Sequence, residues 1–252
     1  MKFLFSATGI RTLEAFCFSK CLFAFDYDGT LAKIVKAPND ALMTKTTENL
    51  LEELNSKAPV AIISGRSLND LKKLFKHSIK TMIGNHGIEG LPNNRFSGDA
   101  ALDAVLKWKK KLAKLLPDNP GIQIEDKVFS LAVHYRCSRE KKSAKSRILD
   151  CAGNLEPPPR VILGKCVINL IPAGAPHKGV ALMELMLDRG LTCAVYVGDD
   201  DTDEDVFGLS ELRIMTVRVG MKAASRARFY LKRQTDINRL IKLIIKIRND
   251  IL

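Results

Sequence analysis

Short apolar segments alternate with amphipathic helical patterns along most of the chain, and this alternation constrains the fold more than any other feature. The apolar segments are predicted strands at 21–25, 59–63, 81–83, 192–197 and 214–219. Helical patterns lie between them; in 46–56, for example, Leu50, Leu51 and Leu54 share one face. Strands that alternate with helices indicate βαβ units and a parallel sheet. We therefore predict an α/β protein with a Rossmann-like core.

A long stretch between the third and fourth predicted strands does not follow this pattern. It contains a Lys-rich helix, two strands, a second helix and two further strands, in the order α-β-β-α-β-β. Such an order is typical of an antiparallel α+β module inserted into a parallel-sheet core. We predict that residues 1–98 and 172–252 form the core and that residues 99–171 form the inserted domain.

Carboxylates follow two of the predicted strands of the core. Asp26 and Asp28 come directly after the first strand, and their spacing places both side chains on the same side of an extended chain. Asp199 and Asp203 follow the fourth strand. Open parallel sheets bind ligands just outside the carboxyl ends of their strands. Carboxylates gathered there repel one another unless a cation compensates, and their hard oxygens suit Mg²⁺, which also binds substrate phosphate oxygens.

Three further residues at the ends of core elements suit an anionic ligand. Ser64 offers a hydroxyl after the second strand, and Gly65 allows an anion to approach the backbone closely. Lys178 begins the helix before the fourth strand and would place a positive charge on a phosphate. Each feature alone is weak, but their order along the chain together with the carboxylates is specific.

This order of motifs resembles the haloacid dehalogenase superfamily of aspartyl phosphatases. The resemblance implies that Asp26 is the nucleophile, which takes up the phosphoryl group as an acyl phosphate. It implies that Asp28 is the general acid/base, which protonates the leaving alcohol and then activates water. It also implies that Mg²⁺ is held by the Asp26 carboxylate, the Asp28 main-chain carbonyl and Asp199, with Asp203 in the outer shell. Ser64 and Lys178 match the two phosphate-orienting positions of that superfamily, and Gly65 is the further phosphate-binding candidate.

Within that superfamily, the chain resembles the trehalose-6-phosphate phosphatases. The additional matching segments are 26–28, 64–66, 84–89, 125–127, 130–136 and 198–205. The resemblance implies that the inserted domain is a cap that closes over the active site, with Glu125 and Lys127 binding sugar hydroxyls. A carboxylate accepts hydrogen bonds from hydroxyls, and an ammonium donates to their oxygens. The candidate substrate-binding residues are Arg66, Asn85, His86, Glu125, Lys127, Arg136 and Asn169.

One motif departs from the family pattern, which usually reads Gly-Lys-x-Val-x-Glu-x-Arg-Pro. In residues 164–172, Asn169 stands where a sugar-binding Glu is expected, and Ile171 replaces an Arg. Asn still hydrogen-bonds a hydroxyl but carries no charge, so the sugar selectivity can differ while the chemistry at Asp26 is unaffected. Trehalose 6-phosphate is the expected substrate, and sucrose 6-phosphate or a glycosyl phosphoglycerate remains the alternative.

The net charge of +12 raises two alternatives to a phosphatase. A basic excess invites a nucleic-acid-binding function, but residues 172–210 carry eight acidic and two basic side chains, which a nucleic-acid groove would not normally gather. A non-enzymatic phosphorelay receiver also clusters Asp and Lys at strand ends, but it needs no second carboxylate such as Asp28. We expect a small-molecule sugar phosphate as the partner, and neither nucleic acid nor a membrane.

The remaining composition indicates a cytoplasmic protein. The six cysteines are scattered and are expected to be reduced structural thiols. No apolar run approaches the roughly 18 residues of a membrane span, and the N-terminal apolar stretch, interrupted by Arg11 and Glu14, makes a poor signal peptide. We expect the protein to act as a monomer.

Overall fold

The structure is a computed structural model that describes residues 1–35, 40–75, 78–91, 96, 98–116 and 121–250. The chain divides into two compact units. The first consists of Met1–Asn93 and His177–Leu252, and the second of Asn94–Pro176. The predicted inserted domain, 99–171, lies inside the second unit. Strands and α-helices are numbered below in chain order through both units.

A parallel sheet forms the centre of the first unit. Its seven strands within the described residues are β1 (Lys2–Phe3), β2 (Cys21–Phe25), β3 (Val60–Ile63), β4 (Met82–Ile83), β9 (Cys193–Gly198), β10 (Ile214–Val219) and β11 (Phe229–Leu231). Their order across the sheet is β1-β11-β10-β9-β2-β3-β4, and every adjacent pair is parallel. The predicted α/β fold with a parallel sheet is confirmed.

Helices cover both faces of this sheet. They are α1 (Ala7–Cys17), α2 (Lys45–Lys57), α3 (Leu68–Phe75), α6 (Lys178–Asp188), α7 (Glu204–Phe207) and α8 (Asp236–Asn249). Phe23 and Phe25 of β2 pack in one apolar cluster with Leu240 of α8, whereas Leu22 packs in another with Leu182 of α6. Burial on both faces explains why the strands are continuously apolar. Among the described residues, no helix combines the length and the apolar character that crossing a bilayer requires.

The second unit is built on an antiparallel sheet. Its strands are β5 (Gln123–Asp126), β6 (Leu131–His134), β7 (Arg160–Gly164) and β8 (Val167–Ile171), in the order β5-β6-β8-β7, and its helices are α4 (Gly98–Leu115) and α5 (Lys141–Gly153). Leu131 and Ile168 of the sheet pack in one apolar cluster with Trp108 of α4 and Ile148 of α5. The helices therefore pack on one face of the sheet, and the α-β-β-α-β-β order is as predicted.

Candidate active site

A buried ammonium group joins two carboxylates at the carboxyl end of the parallel sheet. Asp26 follows β2 directly and is 4% exposed, and Lys178, the first residue of α6, is 1% exposed. The Lys178 Nζ donates to Asp26 Oδ1 at 3.0 Å and to Asp203 Oδ1 at 2.7 Å. His177 fixes the start of α6, since its Nδ1 accepts the backbone N–H of Gly179 at 3.1 Å. The three charged groups are thus held together away from water.

Asp203 is the most heavily hydrogen-bonded of these carboxylates. Its Oδ1 accepts from Lys178 and, at 2.6 Å, from the hydroxyl of Tyr196. Its Oδ2 accepts the backbone N–H groups of Asp199 at 2.8 Å and Asp200 at 2.9 Å. Asp203 therefore fixes the position of Lys178 and the path of the loop after β9. The contribution of Tyr196 was not predicted, because a Tyr inside an apolar strand has the pattern of a core residue.

The pKa values of the buried pair follow from burial and from their neighbours. Burial raises the pKa of Asp26 well above its ordinary value, and the nearby carboxylates of Asp203, Asp199 and Asp28 raise it further, while Lys178 opposes them. Burial alone would lower the pKa of Lys178, but Asp203 and Asp26 outweigh it and hold that pKa above its ordinary value. Lys178 therefore stays positively charged, and further positive charge near Asp26 would favour the ionised form of its carboxyl group.

The arrangement of the carboxyl groups fits a divalent cation. One oxygen from each of Asp26, Asp199 and Asp203 lies within 4.8 Å of the others, and all three residues are buried. If ionised, these three carboxylates together with the Lys178 ammonium carry a net charge of −2, which one Mg²⁺ would cancel. A Cβ on Gly29, whose φ is +84°, would lie 2.2 Å from Asp199 Oδ2, so only glycine allows this carboxylate its position.

Asp28 pairs with Arg66 beside this cluster. The Arg66 Nε donates to Asp28 Oδ2 and its Nη2 to Asp28 Oδ1, both at 2.7 Å. The guanidinium also lies over the ring of Tyr27, 5.0 Å from its centroid, and the Tyr27 hydroxyl donates to the Ala41 carbonyl at 2.8 Å. The predicted substrate-binding residue Arg66 is thus in contact with the candidate general acid/base.

The loops after β3 and β4 are held together by their backbones. The N–H of His86 donates to the Ser64 carbonyl at 2.9 Å, and that of Asn85 donates to the Arg66 carbonyl at 2.7 Å. The buried Ser64 Oγ accepts the Arg66 N–H at 3.3 Å. A Cβ on Gly65 would lie 2.4 Å from His86 Cε1, so glycine is needed for this close approach. Asn85 and His86 have left-handed φ values of 52° and 60°, a strain that often marks functional sites.

Most of the predicted site residues lie at the carboxyl ends of strands in the first unit or beside them. These are Asp26, Asp28, Ser64, Gly65, Arg66, Asn85, His86, Lys178, Asp199 and Asp203. The remaining predicted residues belong to the second unit and are Glu125, Lys127, Arg136 and Asn169.

Glu125 of β5 is the centre of a small polar group that includes His134 of β6 and Lys127, which follows β5. Its Oε2 lies 2.7 Å from the Nε2 of His134, which makes a hydrogen bond, and 4.0 Å from the Nζ of Lys127. The exposed fraction of the Glu125 side chain is 34%. His134 and Lys127 therefore flank the Glu125 carboxylate, which is still partly accessible to solvent.

Asn169 lies on another strand of the same sheet, and Arg136 lies just after one of its strands. Asn169 is buried on β8 and pairs in register with Ala132 of β6, which in turn pairs with Glu125. The Asn169 and Glu125 side chains therefore share one face of the sheet. Arg136 follows β6, and its Nη2 donates to the Lys165 carbonyl at 3.1 Å.

Comparison with known proteins relates the chain to one family. The family model described as trehalose-phosphatase matches residues 24–231. A trehalose-phosphate phosphatase of Mycobacterium ulcerans is 32% identical over 193 residues, covering 73% of this chain and 50% of that protein. A probable trehalose-phosphate phosphatase of Oryza sativa subsp. japonica is 31% identical over 201 residues, covering 75% of this chain and 55% of that protein.

The matches also differ in length from this chain. A protein of Mycobacterium tuberculosis described as an uncharacterized glycosyl hydrolase is 35% identical over 198 residues, which is 72% of this chain and 15% of that protein. The chain thus spans about half the length, or less, of these curated relatives.

Two solved structures whose descriptions mention trehalose-6-phosphate phosphatase have the same fold as this chain. A protein described as related to trehalose-6-phosphate phosphatase has a TM-score of 0.75 at 24% identity and covers 92% of this chain and 100% of its own. The C-terminal domain of the Candida albicans trehalose-6-phosphate phosphatase has a TM-score of 0.73 at 24% identity, covering 94% and 96%. At these identities the likeness shows the fold.

Proposed function

The chain belongs to the trehalose-phosphatase family, and on that premise we propose that it hydrolyses trehalose 6-phosphate to trehalose and inorganic phosphate, a step of trehalose biosynthesis. The observation that carries the proposal is the buried contact between Lys178 and Asp26 at the carboxyl end of β2. An ammonium beside a carboxylate suits the attack of one anion on another, because it reduces the repulsion between nucleophile and phosphate.

The proposed reaction has two displacements at phosphorus. In the first, an Asp26 carboxylate oxygen attacks the phosphorus, the bond from phosphorus to the sugar oxygen breaks, and Asp28 gives its proton to that oxygen. The phosphoryl group then remains on Asp26 as an acyl phosphate. In the second, Asp28 takes a proton from water, the water oxygen attacks the phosphorus, and the bond to Asp26 breaks to release phosphate.

Mg²⁺ is the proposed cofactor. Asp26 and Asp199 would hold it together with the main-chain carbonyl of Asp28, and Asp203, whose oxygens already accept four hydrogen bonds, would act from the outer shell. When bound, the ion supplies positive charge that offsets the carboxylates and the phosphate. Ser64, Gly65 and Lys178 would orient the phosphate.

Sugar recognition is proposed for residues of both units. Glu125 and Lys127 would bind sugar hydroxyls, and the further candidates are Arg66, Asn85, His86, Arg136 and Asn169. The substitution pattern at Asn169 and Ile171 favours a second candidate, a capped phosphatase that acts on sucrose 6-phosphate or a glycosyl phosphoglycerate, since an amide selects hydroxyls differently from a carboxylate. We also propose that residues 99–171 act as the cap.

The deciding experiment measures phosphate release from a panel of sugar phosphates with Mg²⁺ and with EDTA. We expect a preference for trehalose 6-phosphate, loss of activity in EDTA, and loss of activity in Asp26→Asn. Asp188→Asn, at an exposed position of α6, is the matched control and should keep full activity. A preference for another sugar phosphate would reject trehalose 6-phosphate as the substrate, and full activity of Asp26→Asn would reject the mechanism.

The location, oligomeric state and binding partners of the protein are also part of the proposal. We propose a cytoplasmic monomer that acts on a small molecule and binds neither nucleic acid nor a membrane. Size-exclusion chromatography with light scattering checks the monomer. Tight DNA or RNA binding that weakens steeply with salt would contradict the exclusion of nucleic acid.

A further inference from the structure

One side chain of the first unit, Gln234, binds the loop that carries both proposed catalytic aspartates. This loop, residues 26–32, follows β2, and we name it the catalytic loop. The Nε2 of Gln234 donates to the carbonyls of Thr30 and Leu31, both at 3.0 Å. Gln234 is 204 residues from Thr30 in the sequence, so the contact exists only in the folded chain. The amide of Gln234 thus satisfies two backbone carbonyls of the catalytic loop at once.

Hydrogen bonds within the catalytic loop fix its shape. The Tyr27 carbonyl accepts the N–H groups of Leu31 at 2.9 Å and Ala32 at 3.0 Å, and the Gly29 N–H donates to the Ala32 carbonyl at 2.8 Å. These bonds close a turn around Asp28, but they do not set where the turn lies relative to the sheet. Hydrogen bonds to residues outside the loop contribute to that position.

The catalytic loop is bound to the rest of the core on either side of Asp28. Before Asp28, the N–H of Asp26 donates to the Val197 carbonyl of β9 at 2.9 Å. After Asp28, the loop is bound through Gln234. The backbone of Gln234 is in turn held at the start of α8, because its carbonyl accepts the N–H of the buried Ile237 at 3.1 Å. The Gln234 amide therefore extends to the loop from a well-packed part of the core.

We infer that Gln234 is a positioning residue that keeps Asp28 in place for the reaction through its hydrogen bonds to the Thr30 and Leu31 carbonyls. This inference rests on the proposed phosphatase function. Reacting groups must be held within about 0.5 Å of their working positions, and hydrogen bonds from residues that do not touch the substrate provide this support. Loss of the amide removes one of the attachments that set the position of the turn, and a displaced Asp28 slows the reaction.

The test compares kcat of three proteins that differ only at position 234, using trehalose 6-phosphate and 4-nitrophenyl phosphate, which has no sugar. Met has nearly the size of Gln but no amide donor. Glu has the shape of Gln but at about pH 8, where it is ionised, presents only acceptors to the two carbonyls. With both substrates we expect kcat to fall about tenfold in Gln234→Met and further in Gln234→Glu.

Matched controls and two further measurements separate positioning from a general effect on folding. Gln123→Met and Gln123→Glu make the same substitutions at the other glutamine of the chain, which is exposed on β5, and should match the wild type. Urea unfolding should show that both variants of Gln234 are folded under the assay conditions. Inhibition by trehalose should be unchanged in them, because trehalose lacks the phosphate that reacts at the catalytic loop.

Three results would overturn the inference. They are a kcat of Gln234→Met within about twofold of the wild type, a Gln234→Glu variant at least as active as Gln234→Met, and inhibition by trehalose that weakens by the same factor as kcat. The panel of sugar phosphates tests the proposed substrate with the wild type alone. A wild type that prefers another sugar phosphate rejects trehalose 6-phosphate, while the variants assayed with 4-nitrophenyl phosphate still decide the role of Gln234. The two failures are therefore distinguishable.

Discussion

Arg66 holds Asp28 through two parallel hydrogen bonds of 2.7 Å, one to each carboxylate oxygen. The side chain of Asp28 is 40% exposed, so without this pairing it would be free to rotate. Arg66 is itself fixed, since its guanidinium lies over the buried ring of Tyr27. This geometry makes Arg66 a positioning residue for the proposed general acid/base, in addition to any contact with substrate.

Replacing Arg66 by Lys tests this positioning. Lys donates as a single point charge and cannot hold both oxygens of Asp28, so we expect kcat to fall about tenfold or more because the carboxylate that takes the proton from water is misplaced. The pair is partly exposed, so the free energy of unfolding should change by no more than about 1 kcal/mol. Steady-state phosphate release and urea unfolding give the two quantities. Arg213→Lys, in a surface pair with Glu211, is the control, and an unchanged kcat in Arg66→Lys would contradict the positioning role.

Asp203 is expected to be the carboxylate on which stability depends most. Its oxygens accept four hydrogen bonds, and the amide of Asn would present an N–H group to at least one of these donors. We expect Asp203→Asn to lower the free energy of unfolding by about 3 kcal/mol or more and to abolish phosphate release. Asp201→Asn, two residues away and exposed, should change stability by about 0.5 kcal/mol or less. The measurement is urea unfolding, and equal stability of the two variants would refute this assignment.

The raised pKa of Asp26 predicts how stability depends on pH without metal. The unfolded chain ionises Asp26 near pH 3.9, whereas burial keeps it protonated to higher pH in the folded protein. This contribution to the free energy of unfolding therefore falls as pH rises from about 4 towards the folded-state pKa. Asn cannot ionise, so the stability of Asp26→Asn relative to the wild type should increase as pH rises.

Urea unfolding in EDTA between about pH 5 and pH 8 measures this difference. Adding Mg²⁺ should reduce its pH dependence, because a cation stabilises the ionised carboxylate of the wild type. A difference between Asp26→Asn and wild type that stays constant over this range in EDTA would show that the pKa of Asp26 is not raised.

The central strands could be predicted because each apolar run has a sharp end. The run at 21–25 coincides with β2, and 214–219 coincides with β10. The first helix and the last two strands at one side of the sheet, β1 and β11, were not predicted. In α1 the buried residues are Gly9, Leu13 and Cys17, which form too weak an apolar stripe. The strands β1 and β11 have two and three residues, which are too few for any periodicity.

The site was predictable where a functional residue stands at a strand end, as Asp26 does. It was not predictable where tertiary packing creates the contact. Arg66 and Asp28 are 38 residues apart, and nothing in either motif indicates their pairing. Tyr196 lies within an apolar run, so only the structure shows that its hydroxyl reaches Asp203.

His134 is expected to orient Glu125 for sugar binding. The two side chains are 2.7 Å apart, and Lys127 lies 4.0 Å from the same Glu125 oxygen. The hydrogen bond with the imidazole contributes to the orientation of Glu125, so we expect His134→Ala to raise the KM for trehalose 6-phosphate severalfold, with kcat nearly unchanged. The loss of one hydrogen bond to a charged group corresponds to about 1.5–3 kcal/mol at most.

A set of variants separates this orientation from a general effect on folding. The amide of Gln can replace the donor, so His134→Gln should recover part of the affinity that His134→Ala loses. Gln123, which pairs with His134 in register, provides the control Gln123→Ala, and its KM should equal that of the wild type. Turnover of 4-nitrophenyl phosphate should be the same in all four proteins, since it has no sugar for Glu125 to bind. If His134→Ala slowed that reaction equally, His134 would support the fold and not the orientation of Glu125.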